Sequence, residues 1–90
     1  MSTPSETALQ LFGRVVRQHR EGLGYTQLEL AKRGGWQQSF INEVETGKRN
    51  VTFHTILRFA RVFNVKASAL FELVDTRPEL YPGHERDGHT

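Results

Sequence analysis

The stretch TQLELAKRGGWQQSFINEVETGKRN, residues 26–50, decides the fold. Thr26 stands three residues before Glu29, so its hydroxyl can accept from the Glu29 backbone N–H while the Glu29 side chain reaches back to the Thr26 N–H. That reciprocal cap starts a short helix at Gln27, with Leu28, Leu30 and Ala31 as its first apolar residues. Gly34 and Gly35 stop it, because adjacent glycines favour a turn and tolerate positive φ. A new apolar pattern of Trp36, Phe40, Ile41 and Val44 then predicts another helix, helix 3 of the chain, ended by Gly47. Residues 27–46 therefore read as two short helices around a glycine turn. They can cross steeply only where a small residue lets them meet. Ala31 occupies that place, and Leu30, Ile41 and Val44 supply the inward contacts. A helix held proud of the surface in this way can enter the major groove of duplex DNA.

Upstream, Thr3-Pro4-Ser5-Glu6 reads as another capping box, with Pro at the first helical position. Leu9, Phe12, Val16 and His19 follow as one stripe, which Gly22 and Gly24 bring to an end. Downstream of the basic loop Lys48-Arg49-Asn50, Thr52 caps helix 4, with apolar positions Phe53, Ile56, Leu57, Phe59, Ala60 and Phe63; Asn64 suits a left-handed C-terminus. Val65, Ala67, Ala69, Leu70, Phe71, Leu73 and Val74 predict a fifth short helix with more apolar residues than one face of a small bundle needs. The surplus marks Leu70, Phe71, Leu73 and Val74 as a candidate dimer interface, the alternative for Leu70 being the protomer core. From Asp75 prolines, glycines and charges replace the periodic pattern. The expected architecture is all-α: a compact five-helix domain over residues 1–74 and an irregular C-terminal tail over 75–90.

Ninety residues suit one core, and one this small is often completed by a partner chain. With no Cys, disulfides, thiolate zinc sites and cysteine nucleophiles are excluded. No start typical of a signal peptide and no membrane-length apolar run is present, so a cytoplasmic, nucleoid-associated protein is expected. Residues 1–74 hold ten of the twelve Lys and Arg but six of the ten Asp and Glu. A basic body with an acidic tail suits a polyanionic partner, although charge alone is a weak indication.

Arg17, Arg20, Gly24, Thr26-Gln27, Leu30-Ala31, Gly35, Ile41, Val44-Glu45, Gly47-Lys48-Arg49-Asn50, Phe53, Ile56, Ala60 and Leu70 recur at fixed offsets across most of the chain. In that pattern the sequence resembles the phage-repressor helix-turn-helix family, named for the Cro and repressor proteins, and so implies a lambda-repressor-like domain. The segment after helix 3 and the short length resemble restriction-modification controller proteins and small repressors. The resemblance implies a structural ion pair between Arg20 and Glu45 that pins the recognition helix. It departs from the family at Gly34, His19, Val51 and Lys66. Trp36, larger than the usual aliphatic residue, either fills the volume missing at Gly34 or exposes its ring near DNA.

The first turn of helix 3 presents Gln37, Gln38 and Ser39. Gln can pair with adenine N6 and N7 and Ser can donate or accept, so these residues are expected to read base edges. Asn42 and Glu43 lie one turn further along and rank below them. Phe40 either touches a thymine methyl or folds back toward helix 4. By resemblance Gln27, Lys48, Arg49 and Asn50 hold backbone phosphates. The expected function is a sequence-specific regulator of transcription, repressor or controller, bound to a near-palindromic operator as a homodimer and needing no cofactor. The rival is an antitoxin-type module whose tail binds a partner protein. Enzymatic chemistry is not expected, because no phosphate loop or nucleophile arrangement occurs; His84, Glu85, Asp87 and His89 lie in a tail unsuited to holding a metal.

Overall fold

A computed structural model describes residues 6–83. Helix α1, Ala8–Gly22, begins one turn later than the sequence predicts. Thr7, not Thr3, is its N-cap: the Thr7 hydroxyl accepts from the Gln10 N–H and the Gln10 side chain accepts from the Thr7 N–H. Glu6 instead pairs with Arg14, and Thr3 lies outside the described residues. Thr7 and Gln10 form a capping box of the same reciprocal kind, which stands closer to the apolar run.

Helix α2, Gln27–Gly34, and helix α3, Gln38–Glu45, follow as predicted, and α4 is Phe53–Phe63, capped by the Thr52 hydroxyl. Asn64 closes α4 in the left-handed conformation. The expected fifth helix is different. Residues Ala67–Phe71 form a 3-10 helix, and only Glu72–Asp75 is an α-helix, α5. Lys66 precedes this segment and makes no side-chain cap, and Ala69 N–H turns back to the Lys66 carbonyl at 2.9 Å, the tighter pattern that satisfies an uncapped first turn. The described part of the tail is also more regular than expected. Pro78–Leu80 forms a further 3-10 turn, and the Tyr81 hydroxyl donates to Asp75 at 3.3 Å. No strand occurs among the described residues.

One core draws on every long helix: Phe12, Val15 and Val16 from α1, Leu30 and Ala31 from α2, Ile41 and Val44 from α3, and Phe59, Ala60 and Phe63 from α4. Each fully buried aliphatic side chain here removes apolar surface from water, worth about 1.5–3 kcal/mol. Leu70 joins them at 0% exposure. It completes the core of one protomer and is withdrawn from the expected dimer interface, whereas Phe71, Leu73 and Val74 are half-buried. His19 stacks on Phe63 with ring centroids 5.3 Å apart, so the departure at position 19 keeps its place against the core.

Where α1 crosses α3 the helices touch through backbone. A β-carbon on Gly13 would collide with the carbonyl oxygens of Val44 and Glu45, atoms that cannot move without unwinding α3. Gly22 has open space around it. Accordingly, Gly13→Ala should destabilise the fold by about 1–3 kcal/mol in urea denaturation. Gly22→Ala should shift it by under about 1 kcal/mol, in the stabilising direction. Equal effects would show that the close crossing is not what position 13 requires.

Candidate nucleic-acid interface

Helix α2 starts as the sequence requires. The Thr26 hydroxyl accepts from the Glu29 N–H at 3.0 Å and the Glu29 carboxylate accepts from the Thr26 N–H at 2.8 Å. These bonds, the backbone one foremost, hold the Glu29 carboxyl below its usual value, with Arg33 and Lys32 adding smaller attractions against a desolvation cost. Gly35 ends the helix at φ +77°, where an L side chain is strained, and sends its N–H back to the Ala31 carbonyl. Trp36 then turns inward. Its ring lies 4.3 Å from that of Phe59 and occupies the space a β-carbon on Gly34 would need. Of the two expectations for Trp36, the filling one holds. Phe40 is half-buried against the core and stacks on Trp36 at 6.0 Å, so it folds back from the outer side.

Helix α3 is divided lengthwise. Ile41 and Val44 are buried, while Gln37, Gln38, Ser39 and Asn42 are exposed. Gln37 is the N-cap but its side chain makes no capping bond, so the leading N–H groups and three polar side chains face outward together. Glu43 is half-exposed and bonds Arg49 at 3.0 Å. That contact joins a residue expected to read bases with one expected to hold phosphate. Lys48 and Asn50 are exposed in the loop after α3, and Gln27 is half-buried at the start of α2.

The ends of three helices are tied by one network. Arg20 of α1 donates from Nε and Nη2 to the two oxygens of Glu45 in α3, at 2.6 and 3.1 Å. Its Nη1 donates to the Tyr25 carbonyl at 2.8 Å, and Gln27 Nε2 donates to Glu45 at 3.1 Å. The side chains of Arg20 and Glu45 are 12% and 4% exposed. The Glu45 hydrogen bond, outweighing desolvation, raises Arg20 beyond its already high value, so its charge is permanent.

Sequence reasoning missed the Gln27 bond to Glu45, the Arg58 guanidinium 5.8 Å from the Trp36 ring, and Gly13. Only Gly13 carried a signal, since a lone glycine inside a helical pattern usually marks a close packing contact. Among the described residues no group of three His, Cys, Asp or Glu gathers as a metal site, and no helix is long and apolar enough to cross a membrane. His84, Glu85, Asp87 and His89 lie outside the described residues.

A helix-turn-helix family model matches residues 16–70. An uncharacterized HTH-type transcriptional regulator of Archaeoglobus fulgidus is 39% identical over 56 residues, 62% of this chain and 80% of that protein. The restriction-modification controller protein C.AhdI from Aeromonas hydrophila superposes with a TM-score of 0.68 at 35% identity, covering 70% of this chain and 96% of its own. The controller protein C.Esp1396I, solved as a tetramer with its natural 35 base-pair operator, shares the fold with a TM-score of 0.69 at 22% identity, over 80% of this chain and 95% of that one.

Removing one partner of the near-buried ion pair strands the other charge. Glu45→Ala or Arg20→Ala should therefore cost about 3–5 kcal/mol in denaturant titrations, and the double variant less than the two losses together. A cost below about 1 kcal/mol would class the pair with surface bridges. Because the folded Glu29 carboxyl titrates below its ordinary 4.5, its stabilisation is complete above that pH and fades as pH falls through the lowered value. The stability difference between wild type and Glu29→Gln should shrink on acidification. A difference that grows would reverse the sign.

Proposed function

Given that the chain belongs to the helix-turn-helix family of DNA-binding transcriptional regulators, which are not enzymes, we propose that it binds a near-palindromic operator as a homodimer with α3 in the major groove. The observation that carries this reading is the division of α3: the side away from the core presents Gln37, Gln38, Ser39 and Asn42 to solvent at once. Gln37 and Gln38 pair with adenine edges, Ser39 donates or accepts, and Asn42 reaches a base one turn further on. Lys48, Asn50 and the start of α2 at Gln27 rest on phosphates and set the register without reading sequence. The Arg20–Glu45 bond holds α3 at the angle this docking needs.

A helix of eight residues reads few base pairs. Two copies about 34–36 Å apart supply the missing specificity. Half-buried Phe71, Leu73 and Val74 meet the second copy, together with Phe53, which at 70% exposure is the least covered large apolar residue of the described chain. The likeness to C.AhdI at 35% identity supports a controller or repressor role at such an operator. The described part of the tail is tied to the body by Tyr81 and Asp75, and no feature of it favours docking of a partner protein through the tail.

Anisotropy titrations on a duplex selected from a random pool test the assignment. Gln38→Ala should relax specificity at one position by about 1–3 kcal/mol. Lys48→Ala should weaken all sequences alike and flatten the log–log salt slope by about 0.9. The reversed pattern would contradict these roles. Sedimentation at micromolar concentration should find a dimer, and Phe53→Ser should shift it toward monomer; a strictly monomeric wild type would remove the homodimer.

A further inference from the structure

Arg49 follows α3 in a polar loop, yet its guanidinium lies back on that helix. Its Nη2 is 3.0 Å from a Glu43 oxygen, and its central carbon stands 5.2 Å from the centroid of the Phe40 ring. Both partners belong to α3. At 3.6 residues per turn, Glu43 stands one turn below Ser39 on the outward row, while Ile41 and Val44 hold the opposite side in the core. The guanidinium is thereby placed beside the row of α3 that faces away from the protein. No other ion pair or hydrogen bond among the described residues claims its remaining N–H groups.

The Arg49 and Glu43 side chains are 50% and 43% exposed, so the bridge itself adds little to folding stability. Its effect is positional. A carboxylate on a surface meeting a polyanion is repelled unless a cation neutralises it, and Arg49 does so for Glu43. The pair also fixes a planar fork of donors near the groove side of α3. Such a fork matches the two acceptors of guanine, O6 and N7, in parallel. A phosphate needs only a cation or a single donor, which Lys48 and Asn50 already provide beside it.

Resting on the placement of α3 in the major groove proposed above, the geometry points to Arg49 as a guanine-reading residue, with Glu43 positioning its guanidinium and Phe40 serving as the platform beneath. The operator half-site then contains a guanine near the C-terminal end of α3, in addition to the A·T pairs met by its first turn. Arg49 thus leaves the group of phosphate contacts to which its place in the loop had assigned it.

Arg49→Ala separates the two roles, because losing a base contact removes the guanine preference whereas losing a phosphate contact weakens every sequence alike. Sequences bound by the full chain are selected from a random duplex pool, and each guanine of the winner is then replaced in turn. Replacing one guanine per half-site should weaken the wild type roughly tenfold or more. R49A should bind the guanine and replaced duplexes within about twofold of each other, and R49K, which keeps the charge, should keep the wild-type salt slope. E43Q should lose part of the same preference with no change elsewhere in the site. Full guanine discrimination by R49A overturns the role of Arg49. So does an Arg49→Ala variant that weakens every sequence equally and lowers the salt slope by about 0.9, as a lost phosphate contact does. A wild-type chain that enriches no sequence overturns the DNA-binding reading itself, and the role of Arg49 with it.

Discussion

Arg20 and Glu45 are 25 residues apart in the chain, and the two-pronged bond between them joins the end of α1 to the end of α3. Its force comes from burial. With Glu45 only 4% exposed, water cannot take the place of the guanidinium, so the carboxylate is tolerated where it is only while Arg20 stays. Gln27 adds a third bond from the first residue of α2, and the Tyr25 carbonyl occupies the last arm of the arginine. Three helix ends thus meet at the Glu45 carboxylate. An eight-residue helix such as α3 has little stability of its own, and this network together with Ile41 and Val44 keeps it formed and aimed.

The same arrangement explains why the outer side of α3 can remain polar. Its apolar residues are consumed by the core, its C-terminal end by the Arg20 network and the Gly13 crossing, and its flank by Phe40 and Trp36. What is left is a row of amides and a hydroxyl with no structural duty, at a helix start whose N–H groups have no side-chain cap. Scaffold and proposed recognition surface are therefore separable along one helix. On the proposed reading, substitutions at Gln37, Gln38, Ser39 and Asn42 alter what is bound with little consequence for folding.

Much of this was legible in the sequence because the deciding signals are local. The Thr26–Glu29 box, the Gly34-Gly35 turn, the Thr52 cap and the left-handed Asn64 each act within four residues of themselves, and each stands where the sequence placed it. The alternation along α3 was enough to separate Ile41 and Val44 from their polar neighbours. What escaped was decided by competition or by distance. The Thr7–Gln10 box follows directly on the Thr3–Glu6 pattern, and the stripe of Leu9, Phe12 and Val16 suits a start at either. The fifth helix tightened because Lys66 offers no acceptor, a departure visible in the sequence but without a stated structural outcome. Leu70 went to the core because the 3-10 winding after α4 turns it inward, and the packing that places Arg49 on Glu43 and Phe40 depends on the path of a loop.

The central claim is that the outward side of α3, held by Arg20 and Glu45, is the surface that meets DNA. Amide chemical-shift mapping of the full chain, titrated with a selected duplex and supported by intermolecular NOEs, tests it most directly. The account predicts perturbations and NOEs at Gln37, Gln38, Ser39, Asn42 and Glu43, extending through residues 48–50, with Ile41 and Val44 free of contacts to DNA. Contacts confined to α4 and the tail, with α3 unperturbed, would contradict it.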